Sequence, residues 1–283
     1  MTSSLTIHPF DAALGEEVAG VNLSNRLADE TVAAIQAAWD QHLVLLFRDQ
    51  AISDDDLVAF SRRFGDLDEP AVNPQGKPYH PDQPYINVIS NLTANGVPLG
   101  NLGDGEAVWH ADMTYRENPP KGAILHGLTV PPAGGATYFA NMFAAYDALD
   151  ADDKALIANK VAIHDGAHNS AGMLRKGYAE QTDVRNTPGA RHPLVWRDGD
   201  RKALFLGRRP HSYILDMTVA DSDALLDRLW ARATQDQFMV RHEWRAGDVL
   251  MWENLRVLHK RDAFDPASQR VMHRTQISGD PAA

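Results

Sequence analysis

Residues 108–115 read VWHADMTY, which sets an imidazole, His110, and a carboxylate, Asp112, two positions apart in a run that otherwise reads as strand. In a strand, side chains at i and i+2 project from the same face, so one nitrogen and one oxygen can reach a shared point; on a helix they would diverge by about 200°. The pair therefore makes chemical sense on a strand or at its end. Imidazole plus carboxylate suits a borderline divalent metal. Two histidines and one carboxylate on one side of the ion leave positions open for substrate and oxygen, as in non-haem Fe(II) oxygenases. A third ligand is then required. Spacing alone is weak, because His80 and Asp82 in YHPDQP repeat it where Pro81 and Pro84 mark a loop.

The far end of the chain, GDVLMWENLRVLHKRDAFDPASQRVMHRTQI, strengthens the signal. His259 closes a strand-like run that starts after the turn residues Gly247 and Asp248, and a Pro-containing turn leads to a last strand with Arg270, Met272 and Arg274 on one face. Two arginines on one strand face have two readings. A solvated sheet edge carries such charges. A carboxylate clamp also needs them, because a planar guanidinium matches a carboxylate bidentately and stays charged when buried. Trp252, seven residues before His259, reads as a core or pocket-wall aromatic.

These residues need elements to position them. Residues 30–42 place Val32, Ile35 and Trp39 at helical spacing with Asp29 as N-cap, and LVLLF follows as a buried strand. Ser53 and Asp56 form a capping-box pattern ahead of Leu57, Phe60 and Phe64. Between Pro70 and Asp104, proline, asparagine and glycine predict loops around one short strand, YINVIS. The segments GAILHGLTV, ATYFANM, KALFLG, FMVRHEW, DVLMW and RVMHRTQI, with the helix DALLDRLWARA among them, predict a mostly β fold, an antiparallel sandwich or barrel with flanking helices. Residues 164–192 are polar, Gly-rich and too long for an ordinary connection, which predicts a lid within a single domain spanning 1–283.

Composition excludes several functions. The 283 residues are 44% hydrophobic and 23% charged, ordinary for a globular protein, and the net charge of −11 argues against a nucleic-acid partner held through phosphates. With no cysteine, disulfides, zinc ribbons and thiol nucleophiles are ruled out. The first residues show no basic region followed by an apolar run, and no segment approaches 18 apolar residues, so the expectation is a cytoplasmic protein without a membrane partner, acting on a small molecule, with homo-oligomerisation left open.

His110, Asp112, His259 and Arg270 eleven positions later resemble the metal and co-substrate residues of the taurine dioxygenase and 2,4-dichlorophenoxyacetate dioxygenase family. GEEVAGVNL, LVLLFRDQ, FSRRFGDL, WHADMTY, PPAGGATYFANMFAAYDAL, ATQDQFMVRHEW, GDVLMWENLRVLH and RVMHRTQISGD carry the resemblance along nearly the whole chain. It implies a double-stranded β-helix, the cupin-like jelly-roll, with His110, Asp112 and His259 as ligands of Fe(II). Thr137 and Arg270 would hold the distal carboxylate of 2-oxoglutarate. Oxygen is the other co-substrate, and hydroxylation is coupled to release of succinate and CO2.

Specificity departs from that pattern. Arg274 matches an arginine that holds the taurine sulfonate, which implies an anionic substrate group near the metal. Where taurine dioxygenase has a histidine and a tyrosine this chain reads DEPAVNP, with Pro70 and Asn73 near those positions, and Glu106 stands where an asparagine precedes the first ligand by four residues. Glu106 repels a second anion unless paired, and suits an ammonium or hydroxyl instead; the other reading is a solvated loop residue after Gly103 and Gly105. Arg175 and Lys176 in the expected lid either close over an anion or stay solvated. A non-oxidative zinc enzyme would need no arginine clamp. A non-catalytic binding module on the same jelly-roll ought to have lost a ligand. Retention of all three ligands with Thr137 and Arg270 favours the oxygenase.

Overall fold

Apolar alternation along the strands decides how the layers stack. In Val249–Glu253, Leu250 and Trp252 join one apolar cluster while Val249 and Met251 join another, and in Val44–Phe47 the residues Val44 and Leu46 part from Leu45 and Phe47 in the same way. A strand buried on both faces needs a layer on each side. The computed structural model, which describes residues 5–70, 72, 77–103 and 107–279, shows both layers. One sheet has eight strands in the order Thr6–Pro9, Glu16–Ala19, Val44–Phe47, Val249–Glu253, Gly122–Thr129, Val271–Ile277, Asn87–Ser90 and Asn101–Leu102. The facing sheet has four, Met239–His242, Thr137–Asn141, Val257–Arg261 and Ala107–His110. Phe139 from the smaller sheet meets Trp252 from the larger with ring centroids 5.6 Å apart, so the inner cluster joins the two. This is the double-stranded β-helix jelly-roll.

The outer face of the larger sheet is covered by helices Asp29–His42 and Asp54–Ser61. Val32, Ile35 and Trp39 from the first, with Leu57 and Phe60 from the second, pack on Leu45, Phe47, Ile124 and Met251. Trp39 lies so close to the sheet that a Cβ on Gly122 would stand 2.4 Å from its ring, which is why that strand begins with glycine. The Ser53 and Asp56 capping box forms. Asp29 does not cap its helix; Ala28 is the N-cap, and Asp29 in the first turn complements the helix dipole and accepts from Arg63.

Several strand expectations need correction. In VWHADMTY only the first three residues are strand, the end of Ala107–His110; Asp112 lies in the turn that follows, where Met113 takes a φ of 53°. The run up to His259 is two strands in different sheets, Val249–Glu253 and Val257–Arg261, so His259 sits mid-strand. Val271–Ile277 is not a sheet edge, since Gly122–Thr129 and Asn87–Ser90 flank it, and Arg270 stands just before its start. The Pro/Gly-rich stretch holds, beyond the strand Asn87–Ser90, a hairpin Thr93–Ala94 with Val97–Pro98, turned by Asn95 and Gly96 at positive φ. Residues 164–192 contain one short 3-10 turn, Val184–Asn186, and then enter the strand Arg191–Pro193.

Candidate metal centre and co-substrate pocket

His110 and His259 are cross-strand partners in the smaller sheet, which brings their rings to 4.2 Å between centroids. Asp112 swings in from the turn beyond His110. Its Oδ1 lies 3.6 Å from His110 Nε2 and 4.0 Å from His259 Nε2, and ligand atoms of all three residues fall within 4.8 Å of one another. All three side chains are buried.

Each donor is oriented by a second contact. His110 Nδ1–H donates to the Val108 carbonyl at 2.7 Å, which leaves Nε2 with its lone pair toward the shared point. Arg274 Nη1 donates to Asp112 Oδ2 at 2.8 Å and leaves Oδ1 for the histidines. Burial on its own would raise the Asp112 carboxyl, but the Arg274 cation and the two histidines hold it well below the usual carboxylate range. Burial, with His110 beside it, draws His259 down to about 3, so the ring is neutral. The backbone of Asp112 is clamped by Asn254, whose Oδ1 accepts from Asp112 N–H at 2.7 Å and whose Nδ2 donates to the Asp112 and Pro120 carbonyls, each at 2.9 Å. Two imidazoles with their Nε2 atoms toward one point, and one carboxylate with an oxygen left toward them, are a donor set that fits Fe(II). Trp252 is the wall behind it, 5.2 Å from the His259 ring.

Two buried arginines accompany this centre, Arg274 bonded to Asp112 and Arg270 just before the start of the same strand. Arg270 is 2% exposed, its Nε has no hydrogen-bond partner, and no ion pair of Arg270 is found among the described residues. Burial and the neighbouring Arg261 cation pull its guanidinium down to about 9, which leaves it charged at neutral pH. Asn91 Oδ1 accepts from the Arg270 backbone N–H at 2.9 Å and fixes the chain there. Gly135, at a φ of 66°, lets the backbone pass close: a Cβ there would lie 3.7 Å from Arg270 Nε. Thr137 is buried, and its hydroxyl accepts from Trp244 Nε1–H at 2.9 Å, which leaves its own proton to donate elsewhere. Arg274 is also buried, with an unpartnered Nε. Both arginines are therefore interior groups, and the solvated-edge reading falls.

Glu106 and Asn73 lie outside the described residues. Arg175 is half-buried with its guanidinium 4.0 Å from the Tyr115 ring centroid, three residues past Asp112, whereas Lys176 is exposed. Asn254 and Trp244 were not singled out in the sequence; a polar residue between two buried strands, in WENL, was the available signal for the first. The His80 pattern does gather a cluster, but with Asp54 and His273 rather than Asp82. A third group joins Asp165, His168 and His211, where the two imidazoles stack at 4.1 Å and 8°, so their in-plane lone pairs cannot converge on one ion.

Two histidines and a carboxylate inside a jelly-roll, beside buried arginines, define the class of mononuclear non-haem iron oxygenases. The chain belongs to the taurine catabolism dioxygenase TauD, TfdA family, whose model matches residues 6–276. It is 34% identical to an (S)-phenoxypropionate/alpha-ketoglutarate-dioxygenase of Sphingobium herbicidovorans, over all of this chain and 98% of that one. It is 31% identical to an alpha-ketoglutarate-dependent 2,4-dichlorophenoxyacetate dioxygenase of Cupriavidus pinatubonensis, over 97% of this chain and 96% of the other. Among solved structures, AAD-2 in complex with Mn(II) and N-oxalylglycine superposes with a TM-score of 0.80 at 30% identity, covering 99% of this chain and all of that one. A taurine dioxygenase from Burkholderia xenovorans gives 0.78 at 30% identity, covering 98% and 90%. The protein is an Fe(II)- and 2-oxoglutarate-dependent dioxygenase that uses O2. Among the described residues no helix is long and apolar enough to cross a membrane.

Proposed function

We propose that His110, Asp112 and His259 hold Fe(II), that Thr137 and Arg270 hold the distal carboxylate of 2-oxoglutarate, and that Arg274 receives an anionic group of the primary substrate. When bound, Fe(II) supplies the oxidation chemistry that couples decarboxylation of the 2-oxo acid to hydroxylation. The chain's own part is placement. Asp112 is kept ionised with one oxygen held by Arg274, His259 is kept neutral, and Arg270 offers a charged fork from a site from which water is largely excluded. The observation that carries this reading is Arg270, a buried guanidinium whose Nε lacks an acceptor. Leaving such a donor unsatisfied is costly, and a carboxylate arriving there removes the cost.

The substrate is inferred to be a small organic anion. Relatives are named for phenoxypropionate, 2,4-dichlorophenoxyacetate and sulfate esters, and Arg274 uses Nη1 on Asp112 while Nε stays available to a carboxylate or sulfate. Residues 164–192 act as the lid of a single catalytic domain, a reading supported by the Arg175 contact with Tyr115 beside the metal turn. A cysteine-free chain that consumes 2-oxoglutarate fits the cytoplasm.

Anaerobic titration with 2-oxoglutarate, iron present, tests the assignment. A buried carboxylate that loses its charged partner costs about 2 to 5 kcal/mol, so Arg270→Ala should weaken co-substrate binding by about 30-fold to several thousand-fold. Arg270→Lys recovers part of the loss, because an ammonium lacks the guanidinium fork. Thr137→Val costs least. Wild-type binding by Arg270→Ala would end the assignment. Succinate formation across aryloxyalkanoates, sulfate esters and sulfonates identifies the substrate. With the productive substrate, Arg274→Ala should weaken substrate use while 2-oxoglutarate is still consumed.

A further inference from the structure

Thr137 opens the strand Thr137–Asn141 and pairs across the smaller sheet with His242, the last residue of Met239–His242. Two residues further on, Trp244 packs against the inner apolar cluster, and its Nε1–H donates to the Thr137 hydroxyl at 2.9 Å. Both sheets brace the indole. The His242 ring stands edge-on to it, with centroids 4.8 Å apart at 88°, and His242 Nε2 hydrogen-bonds Oδ2 of the fully buried Asp248 at 3.1 Å. From the larger sheet Gly127 makes room for the indole, since a Cβ there would lie 3.2 Å from it.

An indole nitrogen is a donor only, whereas a hydroxyl carries one proton and two lone pairs. The bond therefore runs in one direction, and the Thr137 proton points away from Trp244. Thr137 is buried, and among the described residues no acceptor takes that proton. A freely turning hydroxyl can present either a lone pair or a proton to a ligand; the indole removes that choice. We propose that Trp244 is a positioning residue for the co-substrate, fixing the Thr137 hydroxyl as a proton donor to the distal carboxylate. The inference rests on the assignment of Thr137 and Arg270 to that carboxylate. It gives Trp244 a part in co-substrate binding that is exercised through Thr137 and without contact to the iron ligands.

The test is a double-mutant cycle on equilibrium binding to the iron-loaded protein under anaerobic conditions, with 2-oxoglutarate and with 2-oxopentanoate, which keeps the chelating end and lacks the distal carboxylate. Trp244→Phe keeps an aromatic ring and removes the N–H. It should weaken 2-oxoglutarate by about 3- to 10-fold, no more than Thr137→Val does, the range for one hydrogen bond. Binding of 2-oxopentanoate should stay within about twofold. In the Thr137→Val background the same change should move 2-oxoglutarate by less than about twofold, because the hydroxyl it acts through is gone. Trp244→Met, apolar and able to fill irregular gaps, carries the same comparison if the phenylalanine variant does not fold. Equal weakening of both acids would make the indole a pocket wall and overturn the proposal. A full loss on top of Thr137→Val would overturn it too, since Trp244 would then act independently of Thr137. Unchanged 2-oxoglutarate binding in the Trp244 variants alongside a loss in Thr137→Val would overturn it while the Thr137 assignment stands. Unchanged binding in Thr137→Val as well would remove both.

Discussion

His273 and Arg274 are neighbours on one strand and face opposite sides of the larger sheet, and each meets an aspartate. On the inner side Arg274 binds Asp112; on the outer side His273 Nδ1–H donates to Asp54 Oδ1 at 2.6 Å. Both aspartates sit with two histidines in a group of metal-binding composition. The difference lies in which atoms are already taken. Around Asp54 both oxygens are occupied, since His80 Nε2–H donates to Oδ2 at 2.9 Å while its Nδ1 accepts from the Gln83 backbone N–H at 2.9 Å. Around Asp112 one oxygen is filled by Arg274 and the other is left toward two imidazole Nε2 atoms. Composition makes both clusters candidates; unsatisfied valence favours the inner one for a metal.

The largest effect follows from that separation. His110→Ala or His259→Ala should abolish stoichiometric iron binding and all 2-oxoglutarate turnover, while His80→Ala keeps wild-type iron content by metal analysis. Iron retained by either inner variant, or lost by His80→Ala, would reverse the roles of the two clusters. Zinc or copper should occupy the inner ligands and inhibit, because both bind such sites more tightly than Fe(II).

The next effect acts through backbone placement. Asn254 is fully buried, and its amide bonds the Asp112 backbone from both sides, accepting from its N–H and donating to its carbonyl. Outer-sphere groups of this kind are worth about 10- to 100-fold in metal affinity, and Asn254→Ala should fall in that range when iron binding is titrated. Wild-type affinity would mean that the turn holds Asp112 without it.

Asn254 also marks where the sequence stopped being legible. The case for His110 and Asp112 is legible in their spacing on one short segment, and that for His259 and Arg270 in a resemblance that runs along nearly the whole chain. The Asn254 hydrogen bonds to Asp112 span 142 residues, so no local pattern announces them. Period-two alternation found most strands of the jelly-roll, but it could not divide GDVLMWENLRVLH into strands of two sheets, because both halves are buried and apolar. Nor could it tell a central strand from an edge, since the arginines of RVMHRTQI look the same in either place until their partners are known.

A buried carboxylate with too few donors shows the other extreme. Glu253 is fully buried, its Oε1 has no hydrogen-bond partner, and Arg256 stays 3.8 Å away. Burial pushes its pKa up to about 7. A folded pKa above the unfolded value means that stability from this group is full below the unfolded pKa near 4.5 and is lost as pH rises through about 7. Wild-type protein should therefore lose about 1 to 3 kcal/mol from this group between roughly pH 5 and pH 8, and Glu253→Gln should show less of that decline in denaturant unfolding. An unchanged slope in the variant would mean that Glu253 is ionised throughout.

The smallest effect belongs to the outer cluster. His273 and then His80, through their hydrogen bonds and charge and against the opposing pull of burial, hold Asp54 below its usual value of 3.8. The sign is opposite to that of Glu253: this stability is present above the unfolded pKa and is lost as pH falls through the lower folded one. Asp54 also begins the helix Asp54–Ser61, where a negative charge is favoured by the dipole. Its side chain is a quarter exposed, so water screens the interaction, and Asp54→Asn should cost only about 0.5 to 1 kcal/mol near neutral pH. That cost should shrink as the pH falls below 3.8 and through the lowered pKa, where the wild-type carboxylate protonates as well. Iron content and 2-oxoglutarate affinity should not move, because His273 and Arg274 leave opposite faces of the strand. A loss of iron in Asp54→Asn would mean that the two faces are coupled through that strand, and the outer cluster would then be part of the site.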